Sequence, residues 1–164
     1  MMFISVYVFL FLELAAVAWG DLKYRKVPNL WSLLNVAIFI TLALAVPEVW
    51  LFSWNTFLWP VIIFLMGFFL YWMGIMGGGD AKFLSSTFLI IPAGDQEGFT
   101  IVLLVMTILA SASLMLWRYF RRRRAAQGFF SFLRENWGRK YPFIPVVFTS
   151  WFFYGAGELL KGRW

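Results

Sequence analysis

The sequence predicts an all-α membrane protein, a six-helix transmembrane bundle with a short fourth helix. Two observations carry that prediction. Of 164 residues, 62% are hydrophobic and only 13% charged, more apolar surface than a water-soluble domain of this size can cover, so lipid must be its solvent. The apolar residues also fall into six runs separated by polar connections, the spacing expected of a helical bundle. The length allows one bundle, read as a single domain over residues 1–164.

The first run, residues 3–19, has no basic residue before it and no small-x-small cleavage site close behind it. It reads as a retained helix, not a signal peptide. The second covers residues 30–46, with Pro28 in its first turn, where a missing N–H is not needed. The third covers residues 56–76. The fourth, residues 81–91, is short of the roughly 20 residues a crossing needs. Either it recruits 78–82 and 92–94 to reach across, or it is a fully buried, locally thinned or re-entrant segment, irregular backbone being tolerated at membrane depth only inside protein or beside water. The fifth and sixth runs cover residues 99–117 and 143–160.

Basic residues set the orientation. Lys23, Arg25, Lys26, Lys82, Arg118, the arginines at 121–124, Arg134, Arg139 and Lys140 all fall in alternate connections. The other loops hold Glu48, Asp95 and Glu97 and no basic residue; only Lys161 and Arg163 run against the trend. Both termini are then outside, and the ends of spans one and three face the cytoplasm. Trp19 and Trp31 bracket one loop, and Trp50, Trp54 and Trp59 surround another, as interfacial anchors do. Between Arg118 and Tyr141, the basic run followed by Phe129-Phe130-Ser131-Phe132-Leu133 reads as an interfacial helix on anionic lipid. The net charge of +6 is therefore assigned to the membrane surface and not to nucleic acid.

The chain has neither cysteine nor histidine. Thiolate or histidine metal sites, disulfides, cysteine nucleophiles and Ser-His-Asp chemistry are all removed together. No metal and no cofactor are expected, and Asp, Glu, Lys, Ser and Tyr are left as possible catalysts.

Two of the three aspartates stand where an apolar run meets polar sequence: Asp21 and Asp80. A carboxylate at the rim of a membrane helix is costly and is a functional candidate by default. Asp21 alone could be an ordinary helix-end residue balanced by Lys23 and Arg25. Asp80 alone could be the N-cap of helix four. A cap does not need Gly77, Gly78 and Gly79 before it, however. Three glycines permit unusual φ angles and let an unwound peptide approach closely. Two neighbouring carboxylates tend to share a proton, one acting as base toward water and the other as acid toward a carbonyl. Helix ends distinguish them: Asp21 lies at a C-terminal end and Asp80 at an N-terminal one, which favours an ionised Asp80 beside a protonated Asp21.

Weaker constellations compete. Lys82 with Ser86, one turn on, could form a Ser-Lys pair, though such spacing is a common accident in helices. Its simpler role is to anchor helix four at the membrane surface. Glu13, in mid-helix one, is expected to bond within the bundle, with Asn35 or Glu158 as partner.

Gly77-Gly78-Gly79-Asp80 fits the Gly-x-Gly-Asp signature of intramembrane aspartyl proteases, and Ala81-Lys82 narrows it. Together with Asp21, Arg25 and Val27-Pro28-Asn29, the pattern resembles the bacterial prepilin peptidases, the type IV leader peptidase family. Tyr141-Pro142-Phe143-Ile144-Pro145 is similar to a Pro-Phe-Gly-Pro element of that family, with Ile144 in place of glycine. The resemblance implies that Asp21 and Asp80 are the catalytic pair, with Gly77, Gly78, Gly79, Lys82, Arg25, Pro28 and Asn29 in support. It implies a short, peptidase-only form without the paired cysteines of its larger, methylating relatives. The substrate it implies is a type IV pilin-like precursor, of the Flp or tight-adherence class, whose short basic leader is removed. The place is the cytoplasmic face of the bacterial inner membrane, alongside pilus or secretion machinery. Two rivals stand beside it: a small transporter relaying ions through Glu13 and Asp80, and a non-catalytic assembly scaffold.

Overall fold

The structure, a computed structural model, describes residues 2–24, 26–50, 52–74, 76–122 and 143–160. They form six helices: α1 (Met2–Tyr24), α2 (Asn29–Ala45), α3 (Trp54–Trp72), α4 (Gly78–Ile90), α5 (Ala93–Arg122) and α6 (Ile144–Leu160). The described residues contain no strand, and the expected all-helical membrane fold is what is seen. The interfacial segment expected beyond Arg122 lies outside the described residues.

α1 buries Leu10, Glu13, Leu14, Val17, Ala18 and Asp21, a stripe spaced by three and four as one helical face requires. That face packs on α6. The two helices are locked by reciprocal contacts: the Tyr7 hydroxyl donates to the Trp151 carbonyl at 3.4 Å, and Trp151 Nε1 donates to the Tyr7 carbonyl at 3.3 Å. Their rings stack at 5.2 Å. Gly155 meets the Tyr7 ring so closely that any side chain there would collide with it. Outward positions stay apolar, with Leu12, Leu58, Leu65, Leu104 and Ile108 all exposed. Such a belt is stable against lipid tails, not water. α1, α3 and α5 each contain a stretch long and apolar enough to cross a membrane.

α4 is different. Its 13 residues reach only about 20 Å, against a hydrocarbon core of about 30 Å. Eight of them, from Asp80 to Ile90, are buried, and α2 and α3 pack on it from two sides. Gly67 permits the close approach of α3, since a Cβ there would lie 2.8 Å from the Ala81 Cβ. The fourth run is thus buried inside protein, and its helix takes in Gly78 to Asp80 at the start.

A short buried helix leaves carbonyls at its end that no water can satisfy. Two side chains supply the missing donors. Trp50 Nε1 donates to the Ile90 carbonyl at 2.9 Å, and Gln96 Nε2 donates to the carbonyls of Phe88 and Ile91 at 2.9 and 3.0 Å. Gln96 also reaches the Thr56 carbonyl at 3.3 Å. Pro60, four residues on in α3, has no N–H to give that carbonyl its usual helical bond. Ser85 Oγ in turn donates to the Pro60 carbonyl at 2.9 Å.

These contacts correct two expectations. Trp50 is 1% exposed and serves α4; it is not an interfacial anchor, whereas Trp54 and Trp19 are well exposed. α5 begins at Ala93, six residues earlier than the apolar run, because Gln96 turns inward and Asp95 occupies a first helical turn, where an acid is favoured.

Candidate active site

Asp21 lies in the last turn of α1 and is 3% exposed. Its Oδ2 accepts from the backbone N–H of Ile144 at 3.3 Å, the first residue of α6. Asp80 is 6% exposed and is the third residue of α4, not its N-cap; the cap is Gly77. The Asp80 carboxylate reaches back to accept from the Gly77 N–H at 3.2 Å. Gly77 has no side chain to return the bond, so only this half of a capping box exists.

The three glycines do not serve unusual φ angles. Gly77 is extended at φ −77°, and among the described residues the one glycine at positive φ is Gly74, at 73°. Gly74 ends α3, with its N–H donating to the Tyr71 carbonyl at 2.9 Å, as left-handed glycines do after helices. The triplet serves close approach instead. A Cβ on Gly79 would sit 2.5 Å from the Val27 carbonyl oxygen, one on Gly77 2.9 Å from Asp80 Oδ2, and one on Gly78 3.4 Å from the Tyr71 ring. The backbone that approaches Gly79 is therefore the chain's own, where the sequence suggested a substrate's.

That contact joins the two candidate segments. Val27 follows Asp21 by six residues and is buried in the same core cluster as Ala81 and Ile144. The end of α1 and the starts of α2, α4 and α6 thus meet at one end of the bundle, and both aspartates are there. Each carboxylate accepts a backbone N–H at the start of a helix. The distinction between a C-terminal Asp21 and an N-terminal Asp80 consequently loses its force, because α6 gives Asp21 the contact that α4 gives Asp80.

The remaining candidates take varied places. Gly77, Gly78 and Gly79 are half-buried, while Lys82, Pro28 and Asn29 are exposed. Pro28 is the N-cap of α2, one residue ahead of the first turn, and its carbonyl accepts from the Trp31 N–H at 3.2 Å. Arg25, Tyr141 and Pro142 lie outside the described residues. Ser86 is buried and donates to the Phe83 carbonyl at 2.8 Å, a backbone bond and not a serine-lysine pair with Lys82. No group of three or more carboxylates able to hold a metal is gathered among the described residues.

Glu13 finds the first of its two expected partners. With the Asn35 amide nitrogen turned toward it, the distances to Glu13 Oε1 and Oε2 are 2.7 and 3.1 Å, and the amide oxygen faces Thr87 Oγ1 at 3.3 Å. Asn35 is fully buried, so α1, α2 and α4 are tied together through one amide. The sequence reading missed Gln96, and it noted Ile144 only as a replacement for glycine, not as a partner of Asp21. An isolated glutamine beside two acids carried no signal, and Ile144 acts through a backbone N–H that any residue but proline possesses.

The class these features define is a helical membrane protein with two buried carboxylates held at one end of its bundle. The profile of the type IV leader peptidase family matches residues 8–120, well over half of the 164 residues and including both aspartates. The chain belongs to that family, and is a peptidase by membership. Neither the curated proteins nor the solved structures gave a match.

Proposed function

We propose that the chain is an aspartic endopeptidase that removes the short basic leader from a type IV pilin-like precursor. The observation that carries this reading is the burial of Asp21 and Asp80 at one end of the bundle, with Gly79 against Val27 joining their segments. One carboxylate takes a proton from water, which attacks the scissile carbonyl, while the other gives its proton to the carbonyl oxygen. Collapse of the resulting diol breaks the C–N bond as a proton passes to the departing amine. We treat the two aspartates as one unit and assign neither role singly.

The excess of basic residues in alternate connections supports a site on the cytoplasmic face of a bacterial inner membrane. The precursor class we assign is the Flp or tight-adherence type. The whole chain then works as a single peptidase domain, with pilus or secretion machinery downstream. Co-expression with candidate precursors tests the reading by following leader removal. Wild type cleaves, and Asp21→Ala and Asp80→Ala do not; processing that survives either substitution removes the aspartyl mechanism.

A further inference from the structure

The two aspartates ride on different groups of helices. α1 packs on α6 and α6 on α5, whereas α2 and α3 pack on α4; between the groups α3 meets α5 more slightly. Asp21 belongs to the first group and Asp80 to the second. What joins the groups therefore decides where the two carboxylates stand relative to each other. At the site itself the joint is the contact of Gly79 with the Val27 carbonyl. At the far end of α4 it is Gln96 of α5, donating to the carbonyls of Phe88 and Ile91. Between these lies the side-chain amide of Asn35. One arm of it stands 2.7 and 3.1 Å from the Glu13 carboxylate oxygens, and the other 3.3 Å from Thr87 Oγ1.

Glu13 precedes Asp21 by eight residues, about 12 Å along α1, and Thr87 follows Asp80 by seven, about 10 Å along α4. α1 ends where α4 begins, so both offsets run inward from the site. Each aspartate thus lies between two tie points: the Val27–Gly79 contact on one side, and the Asn35 amide about two helical turns away on the other. A single contact leaves a helix free to pivot about it; a second removes that freedom. Glu13, Asn35 and Thr87 are all buried, so no water replaces a partner that a shift of α1 takes away. Apolar helix faces slide past one another in lipid at small cost, because their contact brings no hydrophobic gain there. A buried polar pair is matched in one register only.

We propose that Glu13 is a positioning residue: paired with Asn35, it fixes the depth and tilt of α1 against α4 and so sets Asp21 opposite Asp80. The inference rests on the aspartyl peptidase reading. Glu13 acts through the amide and not as an acid. The side chains buried between it and Asp21 on α1 are Leu14, Val17 and Ala18, which are apolar and carry no proton. Exchange of a buried polar pair for apolar residues is often neutral or stabilising, so what the pair supplies is the register of the helices and not the stability of the bundle.

Variants in lipid nanodiscs test the assignment. The substrate is a synthetic precursor: a short basic leader ending in glycine, followed by an apolar helix of about 20 residues. Glu13→Leu cuts the tie to α1, and the Asn35 amide still has Ser86 Oγ and Thr87 Oγ1 at 3.4 and 3.3 Å. Its kcat is expected to fall about tenfold or more with KM unchanged, the mark of misplaced reacting groups. Its melting temperature should stay close to that of wild type. Glu13→Gln pairs with the same amide and should keep the wild-type kcat. Glu13→Leu/Asn35→Leu should cleave as slowly as Glu13→Leu and melt no lower than wild type. A second readout uses the lack of native cysteine: spin labels at Leu22→Cys and Trp72→Cys, exposed positions on α1 and α3. One narrow distance is expected in wild type and Glu13→Gln, and a broadened one in both leucine variants. Wild-type kcat or an unbroadened distance in the leucine variants overturns the proposal. So does Glu13→Gln as slow as Glu13→Leu, which makes the acid itself the requirement, and so does failure of both leucine variants to fold. Wild type that cleaves no precursor strikes the peptidase reading instead, and the distance alone then decides whether Glu13 holds the helices.

Discussion

Gly79 lies against the carbonyl of Val27 so closely that a Cβ on Gly79 would stand 2.5 Å from that oxygen. This backbone contact ties the connection after Asp21 to the first turn of the helix that carries Asp80. It is the point at which two distant stretches of sequence become one site.

Gly79→Ala is expected to force the two segments apart and to abolish precursor cleavage, with a lower melting temperature in detergent. Gly78→Ala should keep most activity, because its Cβ would meet only the Tyr71 ring at 3.4 Å, a side chain able to give way. Cleavage assays on both variants in parallel check this; equal loss in the two would show that the Val27 contact is not the constraint.

Asparagine at either aspartate separates chemistry from structure. Asp21→Asn and Asp80→Asn retain an oxygen that accepts from Ile144 or Gly77, so folding is expected to survive. Cleavage should fall by about 100-fold or more, the loss typical of a removed acid or base. Asp21→Ala also deletes the partner of the Ile144 N–H and should cost about 1–2 kcal/mol of stability, read by thermal unfolding beside Asp21→Asn.

Gln96→Glu is predicted to be more damaging than Gln96→Leu. The glutamate is nearly isosteric but turns a donor into an acceptor facing the carbonyls of Phe88, Ile91 and Thr56. Gln96→Leu takes the donor away from the carbonyls of Phe88 and Ile91, at about 1–3 kcal/mol. Melting temperatures of the purified variants decide the order, with Trp50→Phe, which removes the Ile90 bond but keeps an aromatic ring in place, the mildest of the three.

Asn35→Leu should destabilise the bundle by about 2–3 kcal/mol, since it strands the Glu13 carboxyl inside the protein. In the Glu13→Leu background the same change should cost much less. A double-mutant cycle measures the difference; simple additivity would mean the amide and the carboxyl do not interact.

Much of this was legible in the sequence. Six apolar runs became six helices, and three of them were long enough to span, because burial in lipid imposes its length on composition directly. Both aspartates stood out, since an acid at a span end has few cheap explanations. The glycine triplet stood out too, although its use was misread: glycine signals a close approach without saying what approaches.

Sequence by itself determined the solvent of this protein, its helices, its family and the absence of histidine and cysteine chemistry. Each follows from local residue type and order. Only the tertiary structure decided that α4 is a buried short helix, that Trp50 and Gln96 complete its open end, and that Ile144 meets Asp21. Those are contacts between residues as many as 123 positions apart. They depend on which helix faces which, and that is chosen by the packing of whole faces and the pairing of every buried polar group at once.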